Sequence, residues 1–357
     1  MTRHALGRRS LLKALGFAGL SAPFLAPQWA FAAEPGDPFL ALVHPELRAI
    51  AAQVRKFAAN TPPLGPATLA AQREGMARWQ APLRTDIAWE RRAIAGRGGD
   101  VTVFVVNAGG PAGETRPAIL HTHGGGFVSG LAEISVRAMQ DLCAELGCVA
   151  VSVEYRLAPE TTYAGSIEDT YAGLKWLHAN AASLGVDPAR IAVMGESAGG
   201  GHAALLALTA RDRGEVPVAF QCLIYPMLDD RTGSTRSMPD HVGQLIWNAQ
   251  SNRFGWQSFL GMKPGGRNIP VAAVPARRTD LAGLPPAFIG VGSLDLFVDE
   301  DVDYAQRLNA AGVPAQLIVV PGAFHGFDAM PSGARIARWF NAAKIDALRR
   351  GLGIAIP

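Results

Sequence analysis

The chain opens with apolar positions at helical spacing and later turns to strand-like runs. From residue 38 to about 79, Leu47, Ile50, Ala51, Val54 and Phe57 share one helical face, and Thr61-Pro62-Pro63 breaks the segment into two pieces. From about residue 87 the pattern is that of strands. Runs at 101–106, 118–122, 149–155, 190–194, 219–225, 287–291 and 316–320 are mostly continuous rather than alternating, as strands buried on both faces require. Helical stretches at 133–146, 166–184, 198–211, 299–311 and 333–350 lie between and after them. This alternation predicts an α/β fold, a mostly parallel central sheet with helices on both faces.

The alternation fails once. Between 227 and about 280 there is no clear strand, many turn formers, and an aromatic group of Trp247, Phe254, Trp256 and Phe259. So long an insertion between two strands reads as a lid rather than a plain connection. Together with the early helices it is expected to form a cap. The layout is then N-terminal cap helices at 33–85 and a catalytic domain at 86–357 carrying the cap insertion at about 227–280.

Composition fits this picture: 357 residues, 49% hydrophobic and 18% charged, enough apolar mass for a full core. The net charge of +3 comes from the first 32 residues, which hold Arg3, Arg8, Arg9 and Lys13 and no acid. Without them 29 basic residues face 30 acidic ones, so nothing recommends a nucleic-acid partner. Arg8-Arg9-Ser10-Leu11-Leu12-Lys13 precedes an apolar stretch at 14–25, and Ala30-Phe31-Ala32 supplies the small residues of a cleavage site. Residues 1–32 therefore read as a twin-arginine-type signal peptide cut after Ala32, which predicts a periplasmic or secreted protein. Pro23 and Pro27 interrupt the apolar run, which falls short of the ~20 residues that span a bilayer. No stable membrane association is expected after processing.

The chemistry concentrates in four places. Gly195-Glu196-Ser197-Ala198-Gly199 is a G-x-S-x-G sequence between a strand and a helix. A sharp turn there holds a serine clear of the sheet, and it closes only with small neighbours. Ser197 needs a base. Of the eight histidines, His325 is the best placed, in Gly322-Ala323-Phe324-His325-Gly326-Phe327 directly after the last strand. Asp295 follows strand 287–291 and can orient that base. Asp299 and Glu300 are rivals, although acids there suit the start of the next helix. The order Ser197, Asp295, His325 is that of α/β-hydrolases. His123-Gly124-Gly125-Gly126-Phe127, after strand 118–122, reads as a loop that lends backbone N–H groups to an oxyanion, and the Ala198 N–H is a further donor.

Other polar residues read as bland. Cys143, Cys148 and Cys222 form no C-x-x-C, and burial as small hydrophobes is expected rather than a Cys143–Cys148 pair. His121 and His123 lack a third ligand at useful spacing, so no metal site is expected. His178 and His202 read as surface or packing residues on helices, and Arg211-Asp212-Arg213 as a solvated helix end.

Taken together, His123 to Gly130, Tyr155-Arg156-Leu157-Ala158-Pro159-Glu160, Gly195 to Gly200 and Phe324-His325-Gly326-Phe327 resemble the bacterial hormone-sensitive lipase family of α/β-hydrolase esterases, from about residue 87 to the C-terminus. Glu196 stands where members often carry Asp. Asp295-Leu296-Phe297-Val298-Asp299-Glu300 departs from the usual D-P-L-x-D-E by losing its proline and leucine. The resemblance implies an α/β-hydrolase fold with a canopy from the N-terminal helices and the insertion after the sixth strand. It implies Ser197, Asp295 and His325 as the catalytic triad, Gly125, Gly126 and Ala198 as oxyanion donors, and His123 as a loop-shaping residue.

It further implies hydrolysis of a small-molecule carboxylic ester of short or medium acyl chain, with no cofactor. An amide, a lactone or an N-terminal peptide bond is the alternative substrate, and a non-catalytic ligand-binding relative the alternative class. The aromatics at 247–259 either line an acyl pocket or pack cap against core. The helix face at 335–350 offers a homodimer contact.

Overall fold

The computed structural model describes residues 37–78, 81–110 and 114–355, so the predicted leader at 1–32 lies outside the described residues. Two helices come first, α1 (Pro38–Leu42) and α2 (Arg48–Ala59). The Asp37 carboxylate caps α1 by accepting from the Phe39 N–H at 3.0 Å. The apolar stripe of α2 seats Ala51 against the core. Past the Pro62-Pro63 break lies α3 (Leu69–Ala77), whose one buried residue is Leu69.

The sheet follows: β1 (Trp89–Gly96), β2 (Gly99–Val106), β3 (Arg116–Thr122), α4 (Val136–Leu146), β4 (Val149–Glu154), α5 (Tyr163–Ala179), α6 (Ala181–Leu184), β5 (Val186–Glu196) and α7 (Ala198–Arg213). Then come β6 (Phe220–Ile224), α8 (Ala249–Leu260), β7 (Ala287–Gly292), α9 (Val298–Ala310), β8 (Ala315–Val320) and α10 (Arg335–Gly351). The eight strands stand in the order β1-β2-β4-β3-β5-β6-β7-β8. β1, β2 and β4 pair antiparallel, and every later neighbour is parallel. The apolar pattern located β2 but not β1. As an edge strand, β1 exposes Trp89, Glu90 and Arg91 and carries no continuous apolar run.

Adjacent residues of the central strands face opposite layers, as the pleat dictates. Leu120, Val193 and Leu223 pack against α5 and α7 through Leu174, Leu177 and Leu205. Ile119, Met194 and Cys222 pack against α4 and α10 through Met139, Phe340 and Leu348. Each such side chain contributes about 1.5–3 kcal/mol by leaving water. All three cysteines are buried and unpaired as disulfides, with the Cys143 and Cys148 sulfurs 3.9 Å apart.

The parallel register aligns the carboxyl ends of the strands. Thr122 pairs with Gly195, Glu196 with Ile224, and Gly292 with Val320. The chain therefore leaves one edge of the sheet just ahead of His123, Ser197, Tyr225, Asp295 and His325.

The insertion between β6 and β7 contains α8, capped by the Asn248 side chain and ended by Gly261. Its anchor is Asp230, fully buried, which accepts from Arg277 Nε at 2.6 Å, Arg277 Nη2 at 2.9 Å and the Gly265 N–H at 2.6 Å. The end of α7 is not simply solvated as the sequence suggested. Arg211 donates to the carbonyls of Asp280 and Ala282, and Asp212 accepts from Arg278. This helix end fastens the returning arm of the insertion. Among the described residues no helix is long and apolar enough to cross a membrane.

Candidate active site

Ser197 joins β5 to α7 with φ +58° and ψ −124°, a conformation that costs a non-glycine residue about 1–3 kcal/mol. The surrounding main chain pays this by pinning it. The Ser197 N–H donates to Ile224 O at 2.9 Å, and its carbonyl accepts from the N–H groups of Gly201 and Met227. Gly199 is required by close approach, since a Cβ there would lie 2.0 Å from Thr122 O. The hydroxyl is held at the head of α7, where the helix dipole favours negative charge.

The three residues singled out for acid–base chemistry come together in one row. His325 Nε2 lies 2.9 Å from Ser197 Oγ, and His325 Nδ1 lies 2.8 Å from Asp295 Oδ2. An ionised carboxylate only accepts, so Nδ1 carries the proton and Nε2 is left to accept from the serine hydroxyl. Asp295 is fully buried, and its other oxygen accepts from the Phe297 N–H at 3.0 Å. The His325 ring is flanked by Tyr225 at 4.7 Å and meets Phe297 edge-on at 5.3 Å. The rival acids stand outside this row. Asp299 is exposed in the first turn of α9, and Glu300 accepts from the N–H groups of Leu228 and Asp229.

The glycine loop after β3 lies over the serine. Gly125, Gly126 and Phe127 all have positive φ, at +125°, +62° and +67°. The Gly125 carbonyl accepts from the N–H of Val128, the N–H of Ser129 and the Ser129 hydroxyl. Among the described residues no hydrogen bond engages the N–H groups of Gly125, Gly126 or Ala198. A Cβ on Gly124 would stand 3.4 Å from Ser197 Cβ, so the loop and the serine are in contact.

His123 shapes this loop. Its Nδ1–H donates to Gly124 O at 2.8 Å, its ring stacks on Tyr155 at 4.2 Å, and the Tyr155 hydroxyl donates to His123 O at 2.6 Å. Burial pushes the imidazole down to about 4, so it is neutral at physiological pH. His121 is committed as well, donating from Nε2 to Glu196 and accepting at Nδ1 from Ser152. Among the described residues no group of three or more His, Cys, Asp or Glu side chains is placed to hold a metal ion.

Further residues surround the row and the glycine loop. Trp247 of the insertion stands over the loop, its Cη2 only 2.1 Å from where a Cβ on Gly126 would be. Its indole N–H is held by Asn252 at 3.0 Å. Trp256 and Phe259 of the insertion pack on Phe127, at 5.1 and 4.0 Å between ring centroids. His202 completes that box against Phe127, Tyr155 and Phe259 and is fully buried, a packing residue. Tyr155 to Glu160, recognised as a motif but given no role, supports the loop. Arg156 forms a forked pair with buried Asp169, and the Ala158 N–H donates to Phe127 O at 2.9 Å. From the other side Arg73 of α3 reaches the carbonyls of Val128 and Ala158.

The profile of the alpha/beta hydrolase fold family matches residues 119–329. Carboxylesterase NlhH of Mycobacterium tuberculosis is 38% identical over 223 residues, 60% of this chain and 67% of the relative. Ethyl acetate hydrolase of Pseudomonas putida is 32% identical over 226 residues, again 60% of this chain and 67% of the relative. Among solved structures, a bacterial heroin esterase superposes with a TM-score of 0.79 at 36% identity, covering 88% of this chain and 99% of that one. An esterase from the archaeon Pyrobaculum calidifontis gives 0.73 at 31% identity, with 88% and 99% covered. The motifs, the strand order and these relatives agree: the chain belongs to the bacterial hormone-sensitive lipase family of α/β-hydrolase esterases.

Proposed function

We propose that the chain hydrolyses short- to medium-chain carboxylic esters through an acyl-enzyme, with Ser197, His325 and Asp295 as its catalytic triad. The observation that carries this is the single row in which His325 reaches Ser197 Oγ at 2.9 Å and Asp295 at 2.8 Å. Ser197 Oγ attacks the ester carbonyl carbon while its proton passes to His325 Nε2. The carbonyl oxygen becomes an oxyanion held by the N–H groups of Gly125, Gly126 and Ala198. Asp295 keeps Nδ1 protonated and stabilises the imidazolium. The intermediate collapses, the C–O bond to the alcohol breaks, and His325 returns its proton to the leaving alkoxide. A water then repeats the sequence on the acyl-enzyme and releases the acid. Every group used belongs to the chain, and none of these steps draws on a cofactor.

One residue supports the preference for short acyl chains. Trp247 stands over Gly126 and narrows the space beside the glycine loop. The test is hydrolysis of p-nitrophenyl esters from acetate to palmitate by the chain beside Ser197→Ala. The expected result is turnover that peaks at short acyl groups and collapses by about 10⁴-fold or more in the variant. Equal rates for the two proteins on every ester overturn the proposal. Export by the twin-arginine route belongs to the same proposal. It is tested by an Arg8→Lys, Arg9→Lys double variant, which should remain in the cytoplasmic fraction.

A further inference from the structure

Arg73 sits on α3, a helix with one buried residue, yet all three of its guanidinium nitrogens donate to residues far along the chain. Nε donates to Val128 O at 2.7 Å and Nη2 to Ala158 O at 2.9 Å. Glu160 takes the outer edge in a forked pair, at 2.7 Å from Nη1 and 2.8 Å from Nη2. The contact to Val128 does more than dock a helix. The Val128 carbonyl shares a peptide unit with the Ser129 N–H, which donates to Gly125 O at 3.0 Å. The Gly125 carbonyl in turn shares a peptide unit with the Gly126 N–H. Two peptide dipoles thus stand in series between the guanidinium and an N–H aimed at the reacting carbonyl. A cation at the far end polarises both in the same sense, and hydrogen bonds in such chains strengthen one another.

We propose that Arg73 is a positioning residue for ester hydrolysis: it fixes the glycine loop and, through Val128, Ser129 and Gly125, strengthens the Gly126 N–H as an oxyanion donor. This rests on the reading of Gly126 as a donor given above. The charge matters only as the oxyanion develops, so its loss lowers kcat and leaves KM nearly unchanged. A helix latch behaves differently, because breaking it through either partner has the same effect. Glu160 separates the two. Replacing it with Gln removes the counter-charge and leaves the contacts of Arg73 to Val128 and Ala158 in place.

The experiment compares Arg73→Gln, Arg73→Lys and Glu160→Gln with the parent on p-nitrophenyl acetate. Rates are expressed per active site titrated with diethyl p-nitrophenyl phosphate. Arg73→Gln is expected to lower kcat about tenfold or more with KM within about twofold. Arg73→Lys should recover part of the loss, and Glu160→Gln should match or exceed the parental kcat. Parental kcat in Arg73→Gln overturns the proposal, and so does a loss in Glu160→Gln as large as in Arg73→Gln. If Arg73→Gln does not fold, the Lys and Glu160 variants carry the test alone. Absence of ester turnover in the parent is a separate failure, that of the hydrolase reading itself.

Discussion

The Tyr225 hydroxyl donates to Asp328 Oδ1 at 2.9 Å, so the two residues bracket the histidine loop between them. Tyr225 presses its ring on His325, and Asp328 lies three residues further along the same loop. Lys344 of α10 balances the Asp328 charge at 3.6 Å. Tyr225 itself holds φ +35°, an outlier of the kind that clusters at working sites. The ring and the hydroxyl together set the position of the imidazole along the row. Tyr225→Phe keeps the ring and deletes the tie, which is worth about 1 kcal/mol. Its kcat/KM on p-nitrophenyl acetate should fall about fivefold with the pH profile unmoved. Parental kinetics would show that the loop is held without the hydroxyl.

Asp295→Asn provides a sharper test of the row. The amide oxygen can still accept from the Phe297 N–H, so the amide nitrogen is turned toward His325. A donor there forces the proton onto Nε2 and leaves Ser197 without a base. A loss of about 10⁴-fold in kcat is expected, with folding intact by circular dichroism. A loss below about tenfold would mean that the carboxylate does not set the tautomer.

Trp247→Ala removes the wall above Gly126. Acyl-chain preference should move to longer p-nitrophenyl esters, read as the octanoate-to-acetate ratio of kcat/KM. Extra methylenes in an apolar space are worth about 1 kcal/mol each, so a rise of at least about fivefold is expected. An unchanged ratio would place the acyl group elsewhere.

His202 gives a pH signature. Burial among aromatics, reinforced by the nearby His123, pushes its imidazole down to about 3 from 6.5. A base whose folded value is depressed contributes its full stability above 6.5 and loses it as the pH falls toward the folded value. Buried Glu300 and Asp301 are pushed up and act in the opposite sense, but their effects cancel when parent and variant are compared at one pH. His202→Leu fills the box and removes two unpartnered nitrogens, so its urea midpoint should exceed the parental one at pH 7. The gap should widen by about 2 kcal/mol at pH 5. A gap that narrows would mean that the buried imidazole is charged.

Some of this was legible in the sequence and some was not, for physical reasons. Ser197, Asp295 and His325 each follow a strand, and a strand announces itself by a continuous apolar run. Three turns leaving one sheet edge then converge in space. The acid was distinguishable from Asp299 and Glu300 because those two begin a helix. Arg73 was invisible because its acceptors are main-chain carbonyls, 55 and 85 residues away, and every residue has one. Glu160 stood within a recognised motif, but nothing in its letters names a partner on α3. Arg211 and Asp212 looked like an ordinary helix end for the same reason, since their partners belong to the far arm of the insertion. His202 reads as an unremarkable polar letter, and only the Phe127, Tyr155 and Phe259 rings around it make it a buried base.

Where the loop after β3 meets the turn into α7, the contact is between main chains, with Gly199 against Thr122 O and Gly124 against Glu196 O. The wall over Gly126, by contrast, is Trp247, a side chain lent by the insertion. The two parts answer to different constraints. Around the hydroxyl the permitted alphabet shrinks nearly to glycine, because any added carbon meets a carbonyl that the sheet cannot move. In the cap a change of residue alters volume or polarity and leaves the turn intact. Such a molecule can change its diet without relearning its chemistry, because a wall can be altered while the turn between strand and helix stays as it is.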